Sequence, residues 1–240
     1  MSQSSSPLGV SMLQKRQVLA DHVFEAVLSL LLDGEVATGS ALSIDGLAKR
    51  FDVSSTPVRE ALARLESTGM VRREALRGYK VTAGPTAEDV TDLLVTRQVL
   101  EPAMTALACK RADDNFVAEL RAINAELERS RHGGESFVGY RPYWKADELF
   151  HRHIAEYANN EFLLRAYGSV EGHIQRFRLL VHNDEVSGEH TIGEHQVIIN
   201  AFADRDETAA KEAMTAHIAA ITARAVDLPV FNKPNEQDSV

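Results

Sequence analysis

Four polar side chains stand out because each falls on an otherwise apolar helical stripe. Asp147 and His151 are spaced i, i+4, so they share a helix face with Phe150 and Ile154. His195 sits among Ile192, Ile198, Ile199 and Phe202, and His217 among Ala213, Met214 and Ile221. Burying one carboxylate and three imidazoles is costly unless they satisfy one another or a cation. An Asp/His₃ set suits a divalent first-row transition metal, one ion per chain: zinc foremost, with nickel or manganese also compatible. Any one of these histidines alone reads as a hydrogen-bonded core residue; the joint placement is what points to a metal. His22, His132, His153, His182 and His190 join no such pattern. His173 lies on an amphipathic stretch with Ile174, Phe177 and Leu180 and is kept as a pocket-lining residue.

A second group of residues has the chemistry of DNA recognition. Between Leu42 and Leu62 the pattern is a short helix, a tight turn at Asp52-Val53, and a second helix opening at Ser54 or Ser55. Two helices joined in this way can lay the second in a major groove. Ser54, Ser55 and Thr56 offer hydroxyls and backbone N–H groups to phosphates at that helix start. Arg59, one turn in, can grip a guanine edge or a phosphate with two N–H groups. Arg72, Arg73 and Arg77 place positive charge on a following hairpin, and Arg77-Gly78 at its tip lets the backbone approach the minor groove or phosphates closely. A helical pair with a solvated basic face would show much of the same pattern.

The elements that must position these groups follow from periodicity and punctuation. Helical spacing runs over 15–32 and ends at Asp33-Gly34, and a second helix covers about 43–51 with Ser43 as its cap and Leu47 and Phe51 facing inward. The third carries Pro57 in its first turn and runs to about Ser67, before a hairpin built from Met70–Arg73 and Gly78–Val81. Gly84-Pro85 breaks the chain, and Thr86-Ala-Glu-Asp89 opens a helix in the manner of a capping box. Helices are then expected over 86–111, with a kink near Pro102, and over 114–131, 140–158, 160–181, 189–203 and 205–226. The predicted fold is mainly α. Flexible tails at 1–14 and 228–240 flank a winged helix-turn-helix over 15–83 and an all-α six-helix bundle over 84–227.

Composition agrees with that division. Residues 1–80 hold ten Lys/Arg against nine Asp/Glu, a balance of +1, whereas residues 81–240 hold sixteen against twenty-six, a balance of −10. Within 41–80 the excess is eight basic over five acidic, which marks where a nucleic-acid surface should be sought. No run of apolar residues is long enough for a membrane span, no secretory leader is visible, and the lone Cys109 excludes a cysteine zinc cluster. A cytoplasmic location is expected.

The run Ser54-Ser-Thr-Pro-Val-Arg-Glu-Ala-Leu-Ala-Arg-Leu-Glu66, followed by Gly69-Met-Val and Arg77-Gly-Tyr-Lys-Val81, resembles the winged helix of the GntR family of bacterial transcription regulators. That resemblance implies operator contacts from Thr56, Arg59 and the Arg77-Gly78 wing tip. It departs from the family where Ser55 and Asp45 replace common basic residues, with Lys49 and Arg50 as compensating charges. Val95-Thr-Arg-Gln-Val-Leu-Glu-Pro102, Asp147-Glu-Leu-Phe-His151, Asn160-Glu-Phe-Leu163, Glu194-His195 and Ala213-Met-Thr-Ala-His217 resemble the FCD effector domain of the FadR-like subfamily. The positions matching Asp147, His151, His195 and His217 hold the ion in metal-containing members. The same resemblance implies a small carboxylic acid effector, for which Arg97 is a candidate partner; an intrahelical pair between Arg97 and Glu101 is the alternative.

Together these features describe a metabolite-responsive regulator, acting as a homodimer on double-stranded operator DNA without a membrane. Two competing readings are a metal-dependent enzyme using the Asp/His₃ site to activate water, and a metal that only tightens the bundle. Against the enzyme, no Asp or Glu in the helical motif is placed as an evident general base.

Overall fold

The computed structural model describes residues 7–75, 78–131, 137–180 and 185–225. The chain divides into two units, Met1–Gly84 and Pro85–Val240.

The first unit opens with helix α1 (Pro7–Leu32). It reaches further back than periodicity suggested, so residues 7–14, expected in a flexible tail, are helical; residues 1–6 and the expected tail at 228–240 lie outside the described residues. The apolar positions of α1 divide between two faces: Val23, Val27 and Leu28 are buried, while Val18 and Leu19 face outward. Strand β1 (Ala41–Leu42) precedes α2 (Ile44–Phe51) and α3 (Ser55–Ser67). The Ser43 hydroxyl caps α2 by accepting from Gly46 N at 2.8 Å, and Asp52 ends it in the left-handed conformation, φ 53°. Of the two side chains expected inward on α2, Leu47 is buried and Phe51 is partly exposed.

The hairpin of β2 (Val71–Glu74) and β3 (Gly78–Val81) joins β1 in an antiparallel sheet of order β1-β3-β2. A strand as short as β1 carries no alternation to read in a sequence. Its pairing explains Gly78, which has φ +87° and whose added Cβ would stand 2.9 Å from Leu42 O. Both constraints favour glycine. The close approach of Gly78 expected from the sequence is to DNA; the one the structure shows is to Leu42 within the sheet.

The second unit is a bundle of α4 (Ala87–Cys109), α5 (Asp114–Ser130), α6 (Phe137–Tyr157), α7 (Glu161–Leu180), α8 (Glu185–Ala203) and α9 (Glu207–Ala225). Both arms of the Thr86/Asp89 capping box form: Asp89 N donates to the Thr86 hydroxyl at 3.1 Å, and Thr86 N to Asp89 Oδ2 at 2.8 Å. Helix α4 runs on through Pro102. The core is assembled from Met104, Phe116, Leu120, Phe150, Ile154, Ile174, Ile198, Phe202, Met214 and Ile218. Helices α4, α6, α7, α8 and α9 also bury charged or imidazole side chains, Arg97, Glu101, Asp147, His151, Arg178, His195 and His217.

Candidate metal centre and nucleic-acid interface

Asp147, His151, His195 and His217 converge from α6, α8 and α9, and all four are buried. The three histidines offer ring nitrogens that lie within 4.8 Å of one another. Asp147 Oδ1 stands 3.6 Å from His195 Nε2 and 3.9 Å from His151 Nε2. The Phe150 ring stacks on His195 at 3.9 Å between centroids and walls the centre on one side.

Carboxylates stand behind two of the rings. His217 Nδ1 lies 2.7 Å from Glu194 Oε2, and His151 Nδ1 lies 2.6 Å from Glu101 Oε2. Burial would raise the carboxyl of Glu194, but His217 and Arg224 outweigh it and hold it down at about 2. Burial likewise opposes ionisation of Glu101, yet Arg97 and His151 keep its carboxyl well below the usual range. An ionised carboxylate only accepts, so the His217 Nδ1 carries the proton of its bond to Glu194 and its Nε2 is bare; His151 Nδ1 meets Glu101 as an ion-pair contact outside hydrogen-bond geometry. The Nε2 atoms of His217 and His151 face each other at 3.3 Å. Burial lowers His151 to about 4, and lowers His195 well below its ordinary value with help from its neighbours' charge, so neither ring is protonated near neutrality. Neither nitrogen of His195 has a hydrogen-bond partner.

Two nitrogens each about 2.0–2.1 Å from a tetrahedral zinc would stand about 3.3–3.4 Å apart. The Nε2 pair meets that spacing, and the carboxylates on His151 and His217 are the supports that ligating imidazoles ordinarily have. The donor set fits a transition metal.

Arginines enclose these groups. Arg97 is buried and its Nε donates to Glu101 Oε1 at 2.6 Å, with Nη2 3.4 Å from Oε2. Of the two roles open to Arg97, the structure forms the intrahelical pair, so its fork is engaged by the carboxylate that orients His151. Arg224 holds Glu194 through two contacts of 2.6 and 3.0 Å. Arg178 is buried in ion contact with Asp147 Oδ2. For Asp147, burial raises the carboxyl, while Arg178 and the histidines bring it below its usual value. His173, expected to line the pocket, is exposed. The inward face of α7 is taken by Ile174, Phe177 and Arg178, and His173, one residue before Ile174, is rotated about 100° away.

Sequence reasoning thus missed Glu101 as a support for His151, together with Glu194, Arg224, Arg178 and Tyr167. One signal was available for Arg178: it lies i+4 from Ile174 and i+11 from Tyr167, a charge on an apolar stripe.

In the first unit, α3 presents Thr56 and Arg59 to solvent, with Ser55 partly exposed and Pro57, Val58, Ala61 and Leu62 buried beneath. Ser54 is the N-cap residue but its side chain makes no capping bond, so the hydroxyl and the first N–H groups of α3 remain open to an anion. Lys49 is exposed; Arg50 is exposed but bonded to Glu35 at 2.7 Å, which draws off part of the charge expected to compensate at Ser55 and Asp45. Arg64 is tied to Asp21 at 2.5 Å and lies over the Phe24 ring, a packing role. Arg72 and Arg73 are exposed on β2. Arg77 lies outside the described residues.

Comparison with known proteins gives both units relatives. Residues 19–81 match the family described as bacterial regulatory proteins, gntR family, and residues 92–220, more than half of the chain, match the FCD domain. The chain is similar to the Nta operon transcriptional regulator of Aminobacter aminovorans, at 34% identity over 72% of this chain and 78% of that protein. It is also similar to a probable D-xylose utilization operon transcriptional repressor of Paenarthrobacter nicotinovorans, at 24% identity over 85% and 88% of the two chains. Among solved structures, Escherichia coli McbR/YncC shares the fold, with a TM-score of 0.69 and 19% identity over 90% of this chain and 99% of that one.

Proposed function

Since the chain belongs to the GntR family of bacterial transcription regulators and carries an FCD domain, we propose that it is a repressor whose operator binding responds to a small carboxylic acid held beside a transition metal. Membership makes it a regulator of transcription rather than an enzyme. No described helix is long and apolar enough to cross a membrane. The observation that carries the finer reading is the convergence of three buried imidazoles with ring nitrogens within 4.8 Å of one another, the His151 and His217 Nε2 atoms 3.3 Å apart, and Asp147 Oδ1 and the unbonded His195 ring beside them.

In this reading Asp147, His151, His195 and His217 hold the ion, zinc foremost. Glu101 and Glu194 fix the ring orientations, and Arg97 and Arg224 keep those two carboxylates ionised. The bound cation supplies an electrophilic position that a carboxylate oxygen can occupy. Thr56, Arg59, Lys49 and the open start of α3 carry the operator contacts, with Arg77 at the wing. A homodimer supplies two recognition helices for a pseudo-palindromic site. Arg50 adds less than its sequence position implies, because Glu35 holds it. The relative named as a repressor supports the direction of control.

Ligand shifts an equilibrium between two states only through its differential affinity for them. The test is a titration of acetate, lactate and succinate into zinc-loaded protein on its operator, repeated after chelation. Weakened operator binding by at least one acid, only with zinc present, is the expected result. An equal response in chelated protein would make the metal structural, and no response in either would remove the carboxylate.

A further inference from the structure

The charges around the centre balance before any ion is counted. Glu101 pairs with Arg97, Glu194 with Arg224 and Asp147 with Arg178. A divalent cation therefore adds uncompensated positive charge to a buried volume, and the centre with its ion calls for an anion. The question is which donor receives it.

Arg97 and Arg224 both spend two nitrogens on carboxylates. Arg178 is built differently. It is 4% exposed, and Nε, Nη1 and Nη2 are all buried without a hydrogen-bond partner of acceptable geometry. Its one ion contact is with Asp147 Oδ2, while Oδ1 of the same carboxylate faces the histidines. Asp147 is thus a bridge one carboxylate wide, with the ligand cluster on one oxygen and a guanidinium on the other. With Nε against Asp147, Nη1 and Nη2 are left unspent, and two buried donors without an acceptor are an unusual expense unless something accepts from them.

A second orphan lies on the same helix. Tyr167 precedes Arg178 by eleven residues, three helical turns, and so shares its face. Its hydroxyl is buried without a partner, and the charges that bear on it are those of Glu101, Arg178 and Arg97. Two donors with unspent hydrogens, Arg178 and Tyr167, therefore share one buried face of α7, and Arg178 reaches Asp147 of the histidine cluster.

We propose that Arg178, with the Tyr167 hydroxyl as second donor, is the anion clamp of this centre: it takes the carboxylate of a small organic acid whose other oxygen meets the cation held by Asp147 and the three histidines. This rests on the metal reading given above and adds to it the residue that selects for a carboxylate. Through the two oxygens of Asp147 it also links the two occupants, because a cation on Oδ1 draws charge from Oδ2 and leaves Arg178 with a stronger claim on an incoming anion.

The experiment uses full-length protein, with zinc binding followed by calorimetry and acid binding by thermal shift in acetate or succinate, with sodium chloride as the ionic-strength control. The variants are Arg178→Lys, Tyr167→Phe and Arg97→Lys. Arg178→Lys keeps the charge beside Asp147 and loses the planar fork. Saturated with zinc, it should bind the acid at least about tenfold more weakly, a loss of about 1.4 kcal/mol. Tyr167→Phe, which removes one oxygen and keeps the packing, should weaken the acid by a smaller factor. Wild-type acid affinity in zinc-bound Arg178→Lys would overturn the clamp, as would a larger loss in Arg97→Lys. Failure of wild-type protein to bind zinc would instead overturn the metal reading, and zinc binding with no acid response would overturn the carboxylate. Should Arg178→Lys not fold, Tyr167→Phe decides: unchanged acid affinity there counts against the clamp.

Discussion

The two units handle charge in opposite ways. In residues 1–84 the groups assigned to recognition stand in water: Lys49, Thr56 and Arg59 are exposed, and the start of α3 is open. In residues 85–240 the groups assigned to sensing are withdrawn from water, and each buried cation is held against a carboxylate. An exposed arginine contributes little to folding and is free to meet a phosphate or a base. A buried arginine is tied to the fold, and removing its partner leaves a charge in a dry medium. Changes in the first unit should therefore alter DNA binding with the fold intact, and changes in the second should alter stability and ligand binding together.

The largest effect is expected at Asp147. In chelated protein Asp147→Ala leaves Arg178 buried without its counter-charge, which should cost about 3–5 kcal/mol. Urea denaturation followed by helical circular dichroism measures it. A loss no larger than that of a surface aspartate would mean that Arg178 has found another partner and that the two units do not differ as described.

Acid sharpens the same contrast. Burial lowers His151 to about 4 from an ordinary value of 6.5, and the carboxyl of Glu194 is held at about 2 against 4.5. In both cases the unfolded chain binds more protons than the folded one, so these contributions are present at neutral pH and are lost as pH falls. The His151 part, on the order of 3 kcal/mol, should disappear between pH 6.5 and 4; the Glu194 part follows between 4.5 and 2. Denaturation of metal-free protein should therefore show stability declining from pH 6.5 downward. A flat profile to pH 4.5 would argue against neutral, buried imidazoles.

The smallest change in fold comes with a loss in function. Arg59→Ala removes an exposed side chain and should leave the melting temperature where it was, while weakening operator binding by about 1–3 kcal/mol per half-site at matched salt. Unchanged operator affinity would displace α3 from the major groove; a large drop in melting temperature would give Arg59 a packing role that its exposure contradicts.

The two units also differed in how far they could be read from the sequence. The exposed helices of the first unit obey local rules, and Ser43, Asp52 and Pro57 sit where capping and turn chemistry place them, as does the Thr86/Asp89 box that opens the second unit. The four expected metal ligands were legible because three different stripes each carried a polar residue among Ile, Phe and Met. Their supports were not. Glu101 lies 50 residues from His151 and Glu194 lies 23 from His217, and no local pattern couples them. His173 was misplaced by a single residue on a helix face, the step that separates Ile174 in the core from a solvent-exposed neighbour. Strand β1 was invisible because its two residues are fixed by pairing with Tyr79 and Lys80, not by their own alternation.

The most direct test of the central claim is zinc K-edge X-ray absorption on purified protein loaded with one equivalent of zinc per chain, alongside the His195→Ala/His217→Ala double variant. The account expects a tightly bound ion with three imidazole nitrogens at about 2.0–2.1 Å and at least one oxygen, and loss of that ion from the double variant at matched zinc. A wild-type spectrum without imidazole ligation, or one that the double substitution leaves unchanged, would show that the four converging side chains are not a metal centre.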